Sequence, residues 1–209
     1  MLFQSNLFEK KVGSLKQITM PKNIKKIVTI TEKVNNLLPE KIKENECLHY
    51  ASCSDFSMHD VLFRIIELYG KIKHLYLATW SISNNAAEML IKAKDEGIIE
   101  NIHLLLDWRV QVRTPKAKGL LNYNKVDMKI CNCHAKVFCV ETESGEKIVM
   151  LGSANLTNNP RIEAGIITQS ENAYNFHKGW IESEMANAKP FGIDTAKLKS
   201  GRDIGENDE

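Results

Sequence analysis

From Ser57 onward the apolar positions Leu62, Ile65, Ile66 and Tyr69 recur three to four residues apart, the spacing that lines one face of an α-helix. Ser57 precedes the run and Asp60 stands three positions after it, a pattern that caps a helix start, while Gly70 ends it. Residues 74–80 are a short, mostly apolar run suited to a strand buried on both sides. Asn84 and Asn85 can then cap a second helix carrying Ala86, Met89, Leu90 and Ala93, which Gly97 closes, and residues 102–106 form another buried strand. Strand, helix, strand with tight punctuation predicts a crossover unit with parallel strands and the helix packed on one face. It sets Thr79, Trp80 and Ser81 beside Asp107, Trp108 and Arg109 at neighbouring strand ends, the edge where open α/β sheets bind ligands.

Past Lys116 and Lys118 come four more strand-like runs, 126–131, 133–140, 147–151 and 164–168. A closing helix follows, on which Tyr174, His177, Trp180, Ile181, Met185 and Ala188 share a face. Residues 1–46 are irregular: short apolar pieces such as 27–30 are interrupted by Lys, Asn, Pro21 and Pro39, which reads as a partly structured extension with a short strand and helix. Residues 191–209 are polar and Gly-containing, the composition of a disordered tail. The expected organisation is therefore a basic extension over 1–46, one α/β domain over 47–190 built on a mixed, largely parallel sheet flanked by helices, and a tail.

Composition narrows the class. The 209 residues are 43% apolar and 26% charged, with a mean hydropathy of -0.28, as in a folded soluble protein and unlike a disordered, collagen-like or membrane-spanning one. The formal charge is +2, so a nucleic acid or membrane partner must be held by a local patch. Residues 1–46 hold nine Lys and five Glu, an excess that favours polyanions or is an ordinary solvated surface. That segment has no apolar run of the kind a signal peptide or membrane span needs, so no span and no export are expected. Five cysteines, an odd number, fit a reducing cytoplasm. Cys131, Cys133, His134 and Cys139 carry zinc-ligand chemistry, but one residue separates the first pair and no second pair follows; buried or incidental thiols, with no bound metal, are expected instead.

The chemistry is concentrated in Cys133-His134-Ala135-Lys136-Val137-Phe138, Gly152-Ser153-Ala154-Asn155 and Asn159-Pro160-Arg161-Ile162-Glu163. On a strand, His134 and Lys136 would project from one face. Two groups that can both be cationic repel unless an anion lies between them, and a phosphate diester satisfies both. Gly152, Ser153 and Asn155 add a close backbone approach, a hydroxyl and a carboxamide donor, all suited to an oxyanion. The guanidinium forks of Arg109, Arg113 and Arg161 suit flanking phosphates, or are ordinary surface arginines. Trp80 and Trp108 read as core residues rather than base-stacking ones, and His59 with Asp60 as an exposed first helical turn rather than an acid–base pair.

These residues resemble the signature of the phospholipase D superfamily, His-x-Lys-x4-Asp followed by Gly-Ser-x-Asn. His134 and Lys136 match its first element; Gly152, Ser153 and Asn155 match its second; Glu163 falls where the family places an acid that orients the histidine. Glu141 stands where the full signature has Asp. The motif spans about thirty residues, and a looser likeness in element order reaches back to about Cys47. The resemblance implies a phospholipase D-like fold and attack of His134 on phosphorus to give a phosphohistidine, with Lys136 and Asn155 stabilising the added charge. It also implies a second histidine to protonate the leaving oxygen. The other five, His49, His59, His74, His103 and His177, lack a Lys two residues on, so a homodimer sharing one composite site is expected. No cofactor is implied. The leading expectation is a metal-independent DNA nuclease; the alternatives are a nucleic-acid-binding module without turnover, part of a restriction or defence complex, and a phospholipase or phosphatidyl transferase.

Overall fold

Ser57 does open the first long helix. The Asp60 carboxylate accepts the Ser57 backbone N–H at 2.7 Å and its hydroxyl at 3.0 Å, closing the start of α2 (Met58–Tyr69), and Gly70 stops it with φ +84. A computed structural model describes residues 28–31, 34–53, 56–157 and 161–188, apart from the side chains of 28–31 and Cys53. The leader up to residue 27 and the tail expected over 191–209 lie outside the described residues.

The elements before α2 are β1 (Val28–Thr31), α1 (Val34–Leu37) and β2 (Cys47–Cys53). β1 pairs with β2, and Leu37, Leu38 and Ile42 lie in the main core, so part of the expected extension belongs to the sheet and its packing. The Tyr69 hydroxyl accepts the Ile42 N–H at 2.6 Å and donates to its carbonyl at 3.0 Å, tying this segment to α2.

After α2 the chain runs through β3 (Ile72–Thr79), α3 (Asn84–Asp95), β4 (Ile99–Asp107), the short α4 (Val110–Arg113), α5 (Pro115–Tyr123) and β5 (Asp127–Cys131). The α3 cap is Ser83, whose hydroxyl accepts the Ala86 N–H at 3.1 Å, one residue before the expected Asn84. The two crossovers make β3, β4 and β5 parallel, and Thr79 pairs with Leu106, so the two strand ends lie together as expected. The remaining elements are β6 (Val137–Thr142), β7 (Lys147–Gly152), β8 (Ile162–Gln169) and α6 (Glu171–Asn187).

One eight-stranded sheet results, in the order β1-β2-β8-β7-β6-β3-β4-β5. The expectation of a largely parallel sheet is corrected: the pairs β2–β8, β8–β7, β7–β6 and β6–β3 are antiparallel, leaving three parallel pairs. For the β6–β7–β8 meander the reason is loop length. No helix lies between β6, β7 and β8, and short connections can return a strand only antiparallel. The fold is α/β with a mixed, mostly antiparallel sheet flanked by helices. One face carries the larger core, with Leu62, Ile65, Leu75, Leu77, Leu90, Phe138 and Met150 under the first helices. The opposite face packs Tyr76, Leu105, Cys139 and Val149 against Tyr174, Ile181 and Met185 of α6.

Candidate functional site

Antiparallel pairing brings the ends of β3 and β7 and the starts of β6 and β8 to one edge of the sheet. A cavity of about 740 Å³ opens there. His134 and Lys136 line it ahead of β6, Gly152 and Ser153 at the end of β7, Asn155 just beyond, and Arg161 and Glu163 at β8. The β6–β7 register pairs Val137 with Leu151, and the next step joins the Gly152 N–H to the Lys136 carbonyl at 3.1 Å. Residues nearly twenty positions apart in sequence thus share one wall.

His134 and Lys136 precede the strand rather than lying in it, which corrects the expected run 133–140 to Val137–Thr142. The cause is Asp107. Its carboxylate takes the Cys133 N–H at 3.0 Å, and this bond replaces a strand ladder there. The His134 ring is exposed and lies 5.6 Å from the Trp80 ring. Lys136 Nζ donates to the His134 carbonyl at 2.9 Å and sits 5.9 Å from the centre of Trp80. Burial pulls the Lys136 pKa down, and the charges of Cys133, Glu163 and Asp107 oppose that pull.

Asn155 is nearly buried. Its carboxamide oxygen accepts from Thr79 Oγ1 at 3.4 Å, and no described residue takes up its NH₂, a donor on a site-lining side chain. Gly152 answers to a different constraint than expected. A Cβ there would stand 2.9 Å from the Tyr50 hydroxyl and 3.0 Å from the Ala164 carbonyl, so the space a side chain would fill belongs to Tyr50. The Ser153 hydroxyl donates to the Glu163 carboxylate and accepts the Ala164 N–H at 3.0 Å. Glu163 is therefore joined to Ser153, and among the described residues no hydrogen bond links it to His134.

Of the arginines, Arg161 lines the cavity, while Arg109 stands behind the Trp80 wall, 5.8 Å from that ring, held by a 3.0 Å ion pair with the buried Asp107 and a 4.9 Å stack on Trp108. Arg113 lines the cavity and stacks at 4.9 Å over Trp80. Trp80, expected in the core, is a half-buried wall of the cavity beside His134, Lys136 and Arg113. Its place at a strand end was the signal that could have identified it. Asp107 was missed as a positioning group; a carboxylate directly before Trp and Arg at a strand end gave little sign that it would be fully buried.

One further expectation is revised, and the cysteines can be placed. His59 is buried, not an exposed first-turn residue, and its Nδ1 bonds to the Ser57 hydroxyl; burial lowers its pKa against the opposing charge of Asp60. Cys131, Cys133 and Cys139 lie in or against the core under α6, and no group of three or more His, Cys, Asp or Glu among the described residues is gathered to hold a metal ion. No described helix is long and apolar enough to cross a membrane.

No family model matches this chain, and no curated protein does. Among solved structures it is weakly similar to Nuc, a phospholipase D family member from Salmonella typhimurium, at 14% identity over 59% of this chain and 84% of that one, with a TM-score of 0.48. NucT from Helicobacter pylori is similar at 17% identity over 70% and 100% of the two chains, TM-score 0.49. Yeast tyrosyl-DNA phosphodiesterase is similar at 14% identity over 56% and 27%, TM-score 0.34.

Proposed function

We propose that the cavity binds a phosphodiester of DNA and hydrolyses it without a metal ion. One observation carries the reading: His134, Lys136, Ser153 and Asn155 converge on one cavity to which Arg113 and Arg161 add further positive charge, an arrangement that a bound phosphate would satisfy. His134 attacks phosphorus and forms a P–N bond as the P–O bond to the leaving nucleotide breaks. Lys136 and the Asn155 NH₂ neutralise the charge that builds on the nonbridging oxygens. His134 of the partner subunit, across the two-fold axis of a homodimer, protonates the leaving oxygen. It then takes a proton from the water that cleaves the phosphohistidine.

The test is incubation with plasmid, single-stranded DNA and a chromogenic phosphodiester in EDTA, comparing wild type with His134→Ala. Turnover that persists in EDTA and vanishes in the variant is expected. Turnover unaffected by the substitution would sink the mechanism, and salt-sensitive DNA binding with no cleavage would leave a binding module in its place. Sedimentation of the active protein tests the composite site, because a strictly monomeric active enzyme contradicts it.

A further inference from the structure

Two hydroxyls behind the cavity have no hydrogen-bond partner among the described residues. Tyr50 is 4% exposed and Ser52 wholly buried, and neither oxygen finds a donor or acceptor among the described residues. A buried polar group left unpaired is costly, so two side by side call for a reason.

Their register supplies one. Across the β2–β8 ladder Ser52 is directly opposite Glu163 and Tyr50 directly opposite Gly165. Gly165 is in turn opposite Gly152 on β7, and Gly152 bonds to Lys136. Cross-strand partners share a face of the sheet, so Tyr50, Ser52 and Glu163 stand together on the face that carries Lys136. The two glycines between Tyr50 and Lys136 leave a channel in which the phenol lies: an added Cβ would meet the Tyr50 hydroxyl at 2.7 Å from Gly165 and at 2.9 Å from Gly152. Glu163 is also the acid whose charge bears on the phenol, which it and burial together keep protonated and able to donate.

Among the described residues the Glu163 carboxylate is held through Ser153, and Ser153 is one of the groups a bound phosphate would claim. We propose that Tyr50 and Ser52 are a hydroxyl cradle for Glu163: when an anion enters, the Ser153 O–H turns to it, and the two hydroxyls on β2 take over the Glu163 carboxylate. They are positioning residues, acting through Glu163. This rests on the phosphate-binding reading of the cavity.

The experiment compares Tyr50→Phe, Ser52→Ala and the double variant in the wild-type and Glu163→Gln backgrounds, reading kcat and KM for phosphodiester cleavage and the affinity for tungstate by calorimetry. In the wild-type background the double variant is expected to raise KM about tenfold at unchanged kcat and to weaken tungstate binding to a similar extent, in the range that loss of a supporting hydrogen-bond layer produces. In the Glu163→Gln background the same pair should change neither. Unchanged KM and tungstate affinity, or equal losses in both backgrounds, would overturn the cradle and leave phosphodiester hydrolysis standing. Tungstate binding without turnover, carrying the same background dependence, would keep the cradle while hydrolysis fails. Neither binding nor turnover in wild type would remove both. Tyr50→Phe should unfold at no lower urea concentration than wild type; a clear loss of stability would mean the hydroxyl is already bonded, and would also overturn the proposal.

Discussion

The wholly buried carboxylate of Asp107 holds the backbone N–H of Cys133 at 3.0 Å, and through it the start of the segment that carries His134 and Lys136. The same carboxylate takes the backbone N–H and the guanidinium of Arg109, each at 3.0 Å. One acid at the end of β4 thus fixes where the chain leaves one strand and enters another.

Replacing Asp107 with Ala should cost about 2–4 kcal/mol, because it orphans a buried N–H and breaks a partly buried ion pair. Asp107→Asn, which still offers an acceptor to Cys133, should cost less. Urea unfolding measures both, and equal costs would show that the ion pair, not the backbone bond, dominates.

Gly165→Ala should be among the most damaging single substitutions, since its methyl group would run into the Leu151 carbonyl as well as the Tyr50 ring and hydroxyl. Overpacking of this kind costs about 1–3 kcal/mol or more. Gly152→Ala should cost less, and Tyr50→Phe should recover part of its loss, because the hydroxyl is the closest of the atoms the new methyl meets. No recovery in the double variant would place the clash on the Ala164 carbonyl instead.

Acid should destabilise the fold well above the carboxylate range. Burial depresses the His177 pKa to about 4 and also lowers that of His59. Free in the unfolded chain, each protonates near 6.5, so below that pH the unfolded state binds protons that the folded state refuses. Stability is full above about pH 6.5 and drains as the pH falls toward 4. The melting temperature should fall over that window, and His177→Gln should flatten the slope; an unchanged slope would assign the loss to other groups.

Trp80 touches three cations, Lys136, Arg113 and Arg109, at 5.9, 4.9 and 5.8 Å from its ring centre. Each such contact is worth about 0.5–1 kcal/mol at a partly exposed site. Trp80→Leu should therefore weaken oligonucleotide binding about tenfold, and Trp80→Phe should weaken it less. Fluorescence anisotropy with a labelled oligonucleotide reads the difference, and equal affinity in all three proteins would remove Trp80 from the binding surface.

The local chemistry was legible and the long-range pairing was not. Ser57, Asp60 and Gly70 announce α2 because caps act within a few residues. His134, Lys136, Gly152, Ser153 and Asn155 stand in one short stretch, and a hairpin was enough to gather them. The antiparallel half of the sheet escaped a reading tuned to crossovers, since buried strands look alike whichever way they run. Tyr50 and Ser52 gave no sign at all: nothing near them in the chain says that they will stand beside Gly165 and Glu163.

That pairing also sets the order of events when the chain folds. Thr168 donates its hydroxyl to the Glu46 carbonyl at 2.7 Å across 122 residues, alongside the ladder that joins β2 to β8. Contacts so distant come late, because the loop-closure entropy must be met before they yield anything. β3, α3 and β4 can assemble locally as the chain emerges during synthesis. The β2–β8 ladder cannot, so a growing chain lacks Tyr50 and Ser52 beside Glu163 until β8 has closed on β2.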